Sequence, residues 1–236
     1  MTSIYSEILA SASLGEKLLC VLVDPEKFEN DKAEAFLKRM PQNANYLLVG
    51  GSTATSQQTE ETVKALKQHS ALPVILFPGS HEQITEEADG ILFLSLLSGR
   101  NPEYLIGQQI KSVSWLRDSA LEILPTAYIL IDGGKESAVQ RVSKTEPIAQ
   151  SEIKLISETA LAGEFSGKKL VYLEAGSGAK NVVGSRIISE VKKNVSIPVI
   201  VGGGIRSTVQ LQKVYDAGAD IVVIGTAFED DNFEQL

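Results

Sequence analysis

The sequence predicts an α/β fold, a (β/α)8 TIM barrel whose third helix is short or replaced by irregular chain. Three observations carry that expectation. First, short runs rich in Val, Ile and Leu recur along the 236 residues, at 18–24, 45–50, 73–78, 90–95, 126–132, 169–175, 198–203 and 221–226. Second, these runs are apolar nearly throughout instead of alternating, as strands buried on both faces must be. Third, segments with helical apolar spacing lie between them, and alternation of strand and helix means a parallel sheet covered by helices. Repeats of this number in a chain of this length close into a barrel. A doubly wound sheet is the competing arrangement.

The elements follow in order. The first strand ends at Asp24–Pro25, and a helix over 31–40 places Ala33, Phe36, Leu37 and Met40 on one side. The second strand ends in a Gly-Gly turn, and a helix over 55–69 carries Val63 and Leu66. Only residues 79–89 separate the third strand from the fourth. A crossover usually needs about a dozen residues or more. Either a short helix over 82–88 with tight loops fits there, or extended chain that opens a lateral groove from the barrel mouth. The fourth helix, 101–118, starts at Asn101–Pro102 and spaces Leu105, Ile106, Ile110 and Val113 helically. Helices over 148–162, 179–194 and 207–217 complete the set, the last with Ser207 as N-cap and Gly218 as stop. The acidic tail 229–236 reads as a final helix or frayed end. No linker divides the chain, so one barrel domain spans 1–236.

Composition narrows the function. Hydrophobic residues make up 43% and charged residues 22%, which excludes disordered, collagen-like and coiled-coil chains. By size scaling, folding removes roughly 70% of the unfolded surface from solvent, enough for a core without staples. Cys20 is the single cysteine, so no internal disulfide or multi-cysteine metal site exists, and two histidines leave little for a His-based centre. The net charge of −8 argues against nucleic acid or anionic lipid as a partner, while leaving room for a local phosphate pocket. The N-terminus lacks a basic stretch followed by an apolar run, so no signal peptide is expected. No apolar segment approaches the ~18 residues that span a bilayer. The chain is expected in the cytoplasm.

Chemistry in a barrel sits where strands end and loops begin. The seventh strand runs into Gly202–Gly203–Gly204 and then a helix, so backbone N–H groups can approach an anion beside a helix N-terminus. The eighth ends at Gly225–Thr226, and barrels often hold phosphate between these two loops. On the sixth strand Tyr172, Glu174 and Gly176 share one side, with Leu173 on the other. A carboxylate there is costly without purpose or partner; it is a base facing the pocket or one half of a structural ion pair. Gly176, Ser177 and Gly178 would add N–H donors for the same phosphate. Asp24 and Ser52 tip the neighbouring first and second strands, and a carboxylate plus a hydroxyl suits Mg²⁺ completed by water and phosphate. Alone, each would instead be a loop cap and a turn serine. Arg100 could clamp a second phosphate or lie solvated on the surface. Cys20 reads as core, His69 as surface, and His81 has no supporting constellation. Trp115 and Tyr104 on the fourth helix read as packing.

The motifs LVDPEK at 22–27, LVGGST at 48–53, YLEAGSG at 172–178, PVIVGGGIRS at 198–207 and the IGTA ending resemble the geranylgeranylglyceryl phosphate synthase family, in order and along nearly the whole chain. Phosphate barrels in general share the last two; the first three make the match specific. The resemblance implies transfer of a polyprenyl chain from its diphosphate to the C3 hydroxyl of sn-glycerol 1-phosphate, with Mg²⁺. It implies Asp24 and Ser52 at the metal, and Tyr172, Glu174, Ala175, Gly176, Ser177 and Gly178 around the acceptor. Gly203, Gly204, Gly225 and Thr226 would hold its phosphate. It further implies irregular chain in place of the third helix beside a prenyl groove, and a homo-oligomer, dimer or hexamer. One departure concerns Leu22: bacterial heptaprenyl relatives carry lysine two residues before the metal aspartate. Either Lys27 takes over, or the chain belongs to the branch marked by VDPEK; prenyl length stays open. Rival readings are a sugar-phosphate isomerase or synthase of amino-acid biosynthesis on the same loops, or a barrel that only binds phosphate. The second does not need both Asp24 and Glu174.

Overall fold

In the computed structural model, which describes residues 3–225 and Phe228, parallel strands close into a barrel. They are β1 (Leu18–Val23), β2 (Ala44–Val49), β3 (Val74–Leu76), β4 (Gly90–Leu96), β5 (Glu122–Leu130), β6 (Leu170–Glu174), β7 (Val199–Gly202) and β8 (Ile221–Ile224). Each pairs with its neighbour in sequence, and β8 returns to β1 through pairs such as Val21 with Ile224. Because successive side chains point to opposite faces of a strand, two apolar layers result. Cys20, Leu48, Leu124, Tyr172 and Val223 fill the barrel. Val21, Leu47, Ile129, Leu173 and Val222 pack outward against the helices. This double burial is the reason for the unbroken apolar runs in the sequence.

The described helices are α1 (Ile4–Leu14), α2 (Ala33–Arg39), α3 (Ser56–His69), α4 (Gln108–Leu116), α5 (Ala138–Ser143), α6 (Ile153–Phe165), α7 (Ser185–Asn194) and α8 (Thr208–Asp216). Two of them, α1 and α5, are not among the sequence-based expectations. No strand precedes α1, so alternation does not point to it; Ile4 and Ile8 join the interior layer and seal the barrel floor. Glu122, at the start of β5, accepts from the N–H groups of Ile4 and Tyr5 at 2.6 and 2.9 Å, capping that helix. The short α5 starts at its N-cap Ser137 and ends at Lys144, which is left-handed at φ 52°.

Boundaries also differ in places. Strand β5 begins at Glu122, ahead of the expected start at 126, and so includes Pro125. The Pro125 carbonyl accepts from Lys169 N–H at 2.7 Å, and β6 starts only at Leu170. The missing proline N–H therefore faces the unpaired approach to β6, where no ladder bond is lost. Helix α6 starts later than expected because Ile148 is held in the sheet by a bridge to Ile131. Helix α7 begins only after Gly184. Ser207 caps α8, accepting from Gln210 N–H, and Gly218 ends its turn at φ 116°.

The third crossover settles the alternative left open by the sequence. A single 3-10 turn, His81–Gln83, is followed by non-helical chain; a helix over 82–88 does not form. Asp89 anchors this stretch, accepting from Val74 N–H at 2.8 Å and pairing with Lys67 at 2.7 Å. In the fourth crossover a π-helical turn, Glu103–Gly107, leads straight into α4. The expectation for residues 229–236 and the placement of Thr226 lie outside the described residues. No helix among the described residues is long and apolar enough to cross a membrane.

Candidate active site

The C-terminal ends of the strands open into a cavity of about 640 Å³. Its floor is aromatic. Phe77, after β3, stacks on Tyr172 with ring centroids 5.1 Å apart, and Tyr128 meets Tyr172 edge-on at 5.4 Å. Sequence reasoning did not single out Phe77 or Tyr128. Both sit in apolar strand ends where an aromatic residue carries no signal beyond packing.

Glu174, the last residue of β6, faces this cavity at 5% exposure. Burial disfavours its charged form and raises the carboxyl to about 7, with the Gly176 N–H and the nearby Tyr172 hydroxyl acting in the opposite sense. That N–H donates to Oε1 at 2.6 Å. No basic residue pairs with Glu174 among the described residues, so it is not half of a structural ion pair. The Tyr172 hydroxyl is buried at the cavity without a hydrogen-bond partner among the described residues. Burial, then the Glu174 charge, holds this phenol well above its ordinary range. It remains a donor, and an orphaned buried hydroxyl gains free energy from any ligand that satisfies it.

The glycine loops close around this pair. Gly203 has φ +91°, and a Cβ there would lie 2.6 Å from Glu174 Oε1 and 2.7 Å from the Gly176 nitrogen. Only glycine lets the β7 loop run this close to the carboxylate. Arg206 donates to the carbonyls of Gly178 and Ala179 at 3.2 and 2.7 Å, clasping the β6 loop to the β7 loop. Behind them starts α8, whose N-terminus presents a partial positive charge to the same mouth. Ser177, Gly178, Gly203, Gly204 and Gly225 line the cavity. Ala175 and Gly176 do not: their N–H groups are spent on Gly202 O and on Glu174. Gly176 thus supports the carboxylate instead of reaching for an anion.

On the opposite rim, Asp24 and Ser52 line the same cavity. A Cβ at Gly51 would lie 2.6 Å from Asp24 Oδ1, so the glycine turn after β2 brings the carboxylate directly against the Ser52 loop. Asp24 accepts from Glu26 N–H at 3.1 Å and pairs with Lys27 at 3.4 Å. No group of three or more His, Cys, Asp and Glu suited to a metal gathers among the described residues. Glu26 and Thr53 line the same rim, the Thr53 hydroxyl donating to Glu26 at 2.7 Å, beside the carboxylate of Asp24 and the hydroxyl of Ser52.

Between these rims the wall is apolar. Ile84, Ile91, Phe93, Leu94, Val139 and Val142 line it, between the irregular third crossover and α5. Tyr104 packs against the interior layer as expected and also lines the cavity, whereas Trp115 is 61% exposed and is not the packing residue the sequence suggested. Tyr104 lies in the π-helical turn, and Trp115 lies on the solvent side of α4. Arg100 turns back onto the carbonyls of Leu97 and Gly99, away from the cavity lining. Arg141, which sequence reasoning missed along with all of α5, stands on the lining. Cys20 is core, its thiol pushed up to about 12 by burial.

A glycine cradle on the last strands of such a barrel marks the phosphate-binding (β/α)8 enzymes, and fold and site place this chain in that class. Within it, the chain belongs to the PcrB family, whose model matches residues 13–236. It is 57% identical over 234 residues to a geranylgeranylglyceryl phosphate synthase of Zunongwangia profunda, covering 99% of this chain and 100% of the relative. A protein of the same name from Pyrococcus furiosus is 42% identical over 216 residues, covering 91% and 85%. Among solved structures, the (S)-3-O-geranylgeranylglyceryl phosphate synthase of Thermoplasma acidophilum in complex with sn-glycerol-1-phosphate aligns with TM-score 0.90 at 36% identity. It covers 97% of this chain and 92% of that one.

Proposed function

We propose that this chain joins the C3 hydroxyl of sn-glycerol 1-phosphate to a polyprenyl diphosphate, geranylgeranyl diphosphate or a close homologue. The products are an ether-lipid precursor and diphosphate. The observation that carries the reading is Glu174: a buried carboxyl raised to about 7, unpaired by any cation among the described residues, beside a glycine cradle and an apolar groove. The named relatives support it.

The acceptor phosphate rests on the N–H groups of Gly203, Gly204 and Gly225, and on Thr226 as the family resemblance implies. Tyr172 donates to the glycerol, and Glu174 accepts the proton of the C3 hydroxyl. The oxygen so freed attacks C1 of the prenyl chain. The C–O ether bond forms as the bond from C1 to the diphosphate oxygen breaks, and the electron pair leaves with diphosphate. Holding the two substrates in line contributes positional catalysis, and the groove holds the chain at about 0.8 kcal/mol per buried CH₂. A hard cation that takes few protein oxygens fits the Asp24–Ser52 donor set, whereas an all-protein metal cage does not. Bound there, Mg²⁺ would stabilise charge on the departing diphosphate.

The exposed strip Ile106, Ile110 and Val113 supports a homo-oligomer, dimer or hexamer. The acidic charge and the cysteine usage support a cytoplasmic site of action without nucleic acid or a membrane span. The test is incubation with Mg²⁺, sn-glycerol 1-phosphate and a ladder of prenyl diphosphates, with products read by mass. A prenyl ether of the 1-phosphate is expected. Equal turnover of sn-glycerol 3-phosphate, or no ether at all, contradicts the reading.

A further inference from the structure

We infer that Gln83, a residue outside the cavity lining, is the positioning residue for the Asp24–Ser52 rim. Gln83 sits in the irregular third crossover, at the end of its 3-10 turn, and is 2% exposed. A buried primary amide is tolerated only when its hydrogen bonds are made. Gln83 makes them to the backbone of two loops. Its Nε2 donates to the carbonyls of Gly51 and Ala54 at 3.0 and 2.8 Å. Its Oε1 accepts from Gly79 N–H at 2.8 Å. One side chain therefore ties the β2 loop to the β3 loop.

The tied loops are stacked in sequence toward the cavity. A Cβ at Gly79 would lie 2.8 Å from the Gly51 carbonyl oxygen and 3.0 Å from Ser52 Cα, so the two turns pack backbone on backbone. The next contact is Gly51 against Asp24. Gln83 thus fixes the height of Ser52 relative to Asp24 through three successive contacts, without reaching either. It also explains why a crossover with no helix holds a shape here. The 3-10 turn sets this amide against the Gly51 turn. Among the described residues, no hydrogen bond links Gln83 to the glycine cradle on β6–β8.

This inference rests on the proposed donor role of the Asp24–Ser52 rim, and the experiment separates the two. The probes are Mn²⁺ with inorganic diphosphate, followed by the electron paramagnetic resonance of free Mn²⁺, and sn-glycerol 1-phosphate, followed by calorimetry. Gln83→Met removes all three bonds at similar volume. Gln83→Glu keeps the acceptor for Gly79 but loses both donors to the β2 loop. Loss of the two bonds to the β2 loop, common to both variants, is expected to weaken Mn²⁺–diphosphate binding by about tenfold. Glycerol phosphate affinity should stay as in the wild type. The inference is overturned if both affinities fall together, if neither changes, if Gln83→Glu binds Mn²⁺–diphosphate like the wild type, or if neither variant folds. A wild-type protein that binds glycerol phosphate but no Mn²⁺–diphosphate refutes the donor role itself, and the positioning role with it.

Discussion

The two rims of the barrel mouth are built in opposite ways. On β6, β7 and β8 the backbone does the work: left-handed glycines, the Arg206 clasp and the N-terminus of α8 hold N–H groups and a carboxylate in fixed relation. On β1 to β4 the wall is a 3-10 turn, irregular chain and apolar side chains, with the buried Gln83 amide among its ties. A small charged acceptor needs fixed donors, while a long apolar chain needs area and an open side. The comparison teaches that one mouth divides rigidity by substrate. It can be broken or sharpened by changing one rim and reading both.

The largest effect is expected at Glu174. Glu174→Gln keeps shape and some hydrogen bonding but removes the base, so kcat should fall by about 10²–10⁴. Glycerol phosphate affinity, read by calorimetry, should change little. Near-normal turnover would make Glu174 a structural residue. Next comes Gly203→Ala. The methyl meets Glu174 Oε1 and the Gly176 nitrogen in a left-handed turn, a strain of about 1–3 kcal/mol. Calorimetry should show glycerol phosphate binding weakened by at least tenfold, with Mn²⁺–diphosphate binding intact. Asp24→Asn is the mirror case. The Mg²⁺ concentration for half-maximal rate should rise by about 10–100-fold, with glycerol phosphate binding unchanged. Wild-type rates at low Mg²⁺ would remove Asp24 from the metal.

A smaller effect is one of stability. The Glu174 pKa is raised from 4.5 to about 7 in the folded protein, so folding favours its protonated form. That contribution is present below pH 4.5 and is lost as pH rises through 7. Glu174→Gln should therefore unfold at higher temperature than wild type at pH 8, by an amount corresponding to a few kcal/mol. The gap should shrink toward pH 5. A gap that stays constant across this range would mean the carboxyl is not buried as described.

Legibility followed the same division. The acceptor rim could be read from sequence because its chemistry depends on residue types with few alternatives: Gly203 and Gly204 at positive φ, Glu174 in an apolar strand. The shortage of chain between the third and fourth strands left a short helix and an open wall as alternatives, and gave no sign of the 3-10 turn. The helix α5 was invisible because six residues hold too little periodicity. Helix α1 was invisible because nothing in the repeat calls for a floor. Gln83 gave no signal: what matters about it is which backbone groups it meets, and that depends on the closed barrel.

The most direct measurement is the pH dependence of kcat at saturating glycerol phosphate and prenyl diphosphate, in wild type and Glu174→Gln. Glu174 must be ionised to accept the proton, so the wild-type rate should climb with pH through about 7. The variant's residual rate should lack that limb. A wild-type rate that is flat down to pH 5, or a variant that keeps the same limb, contradicts the assignment of Glu174 as the base.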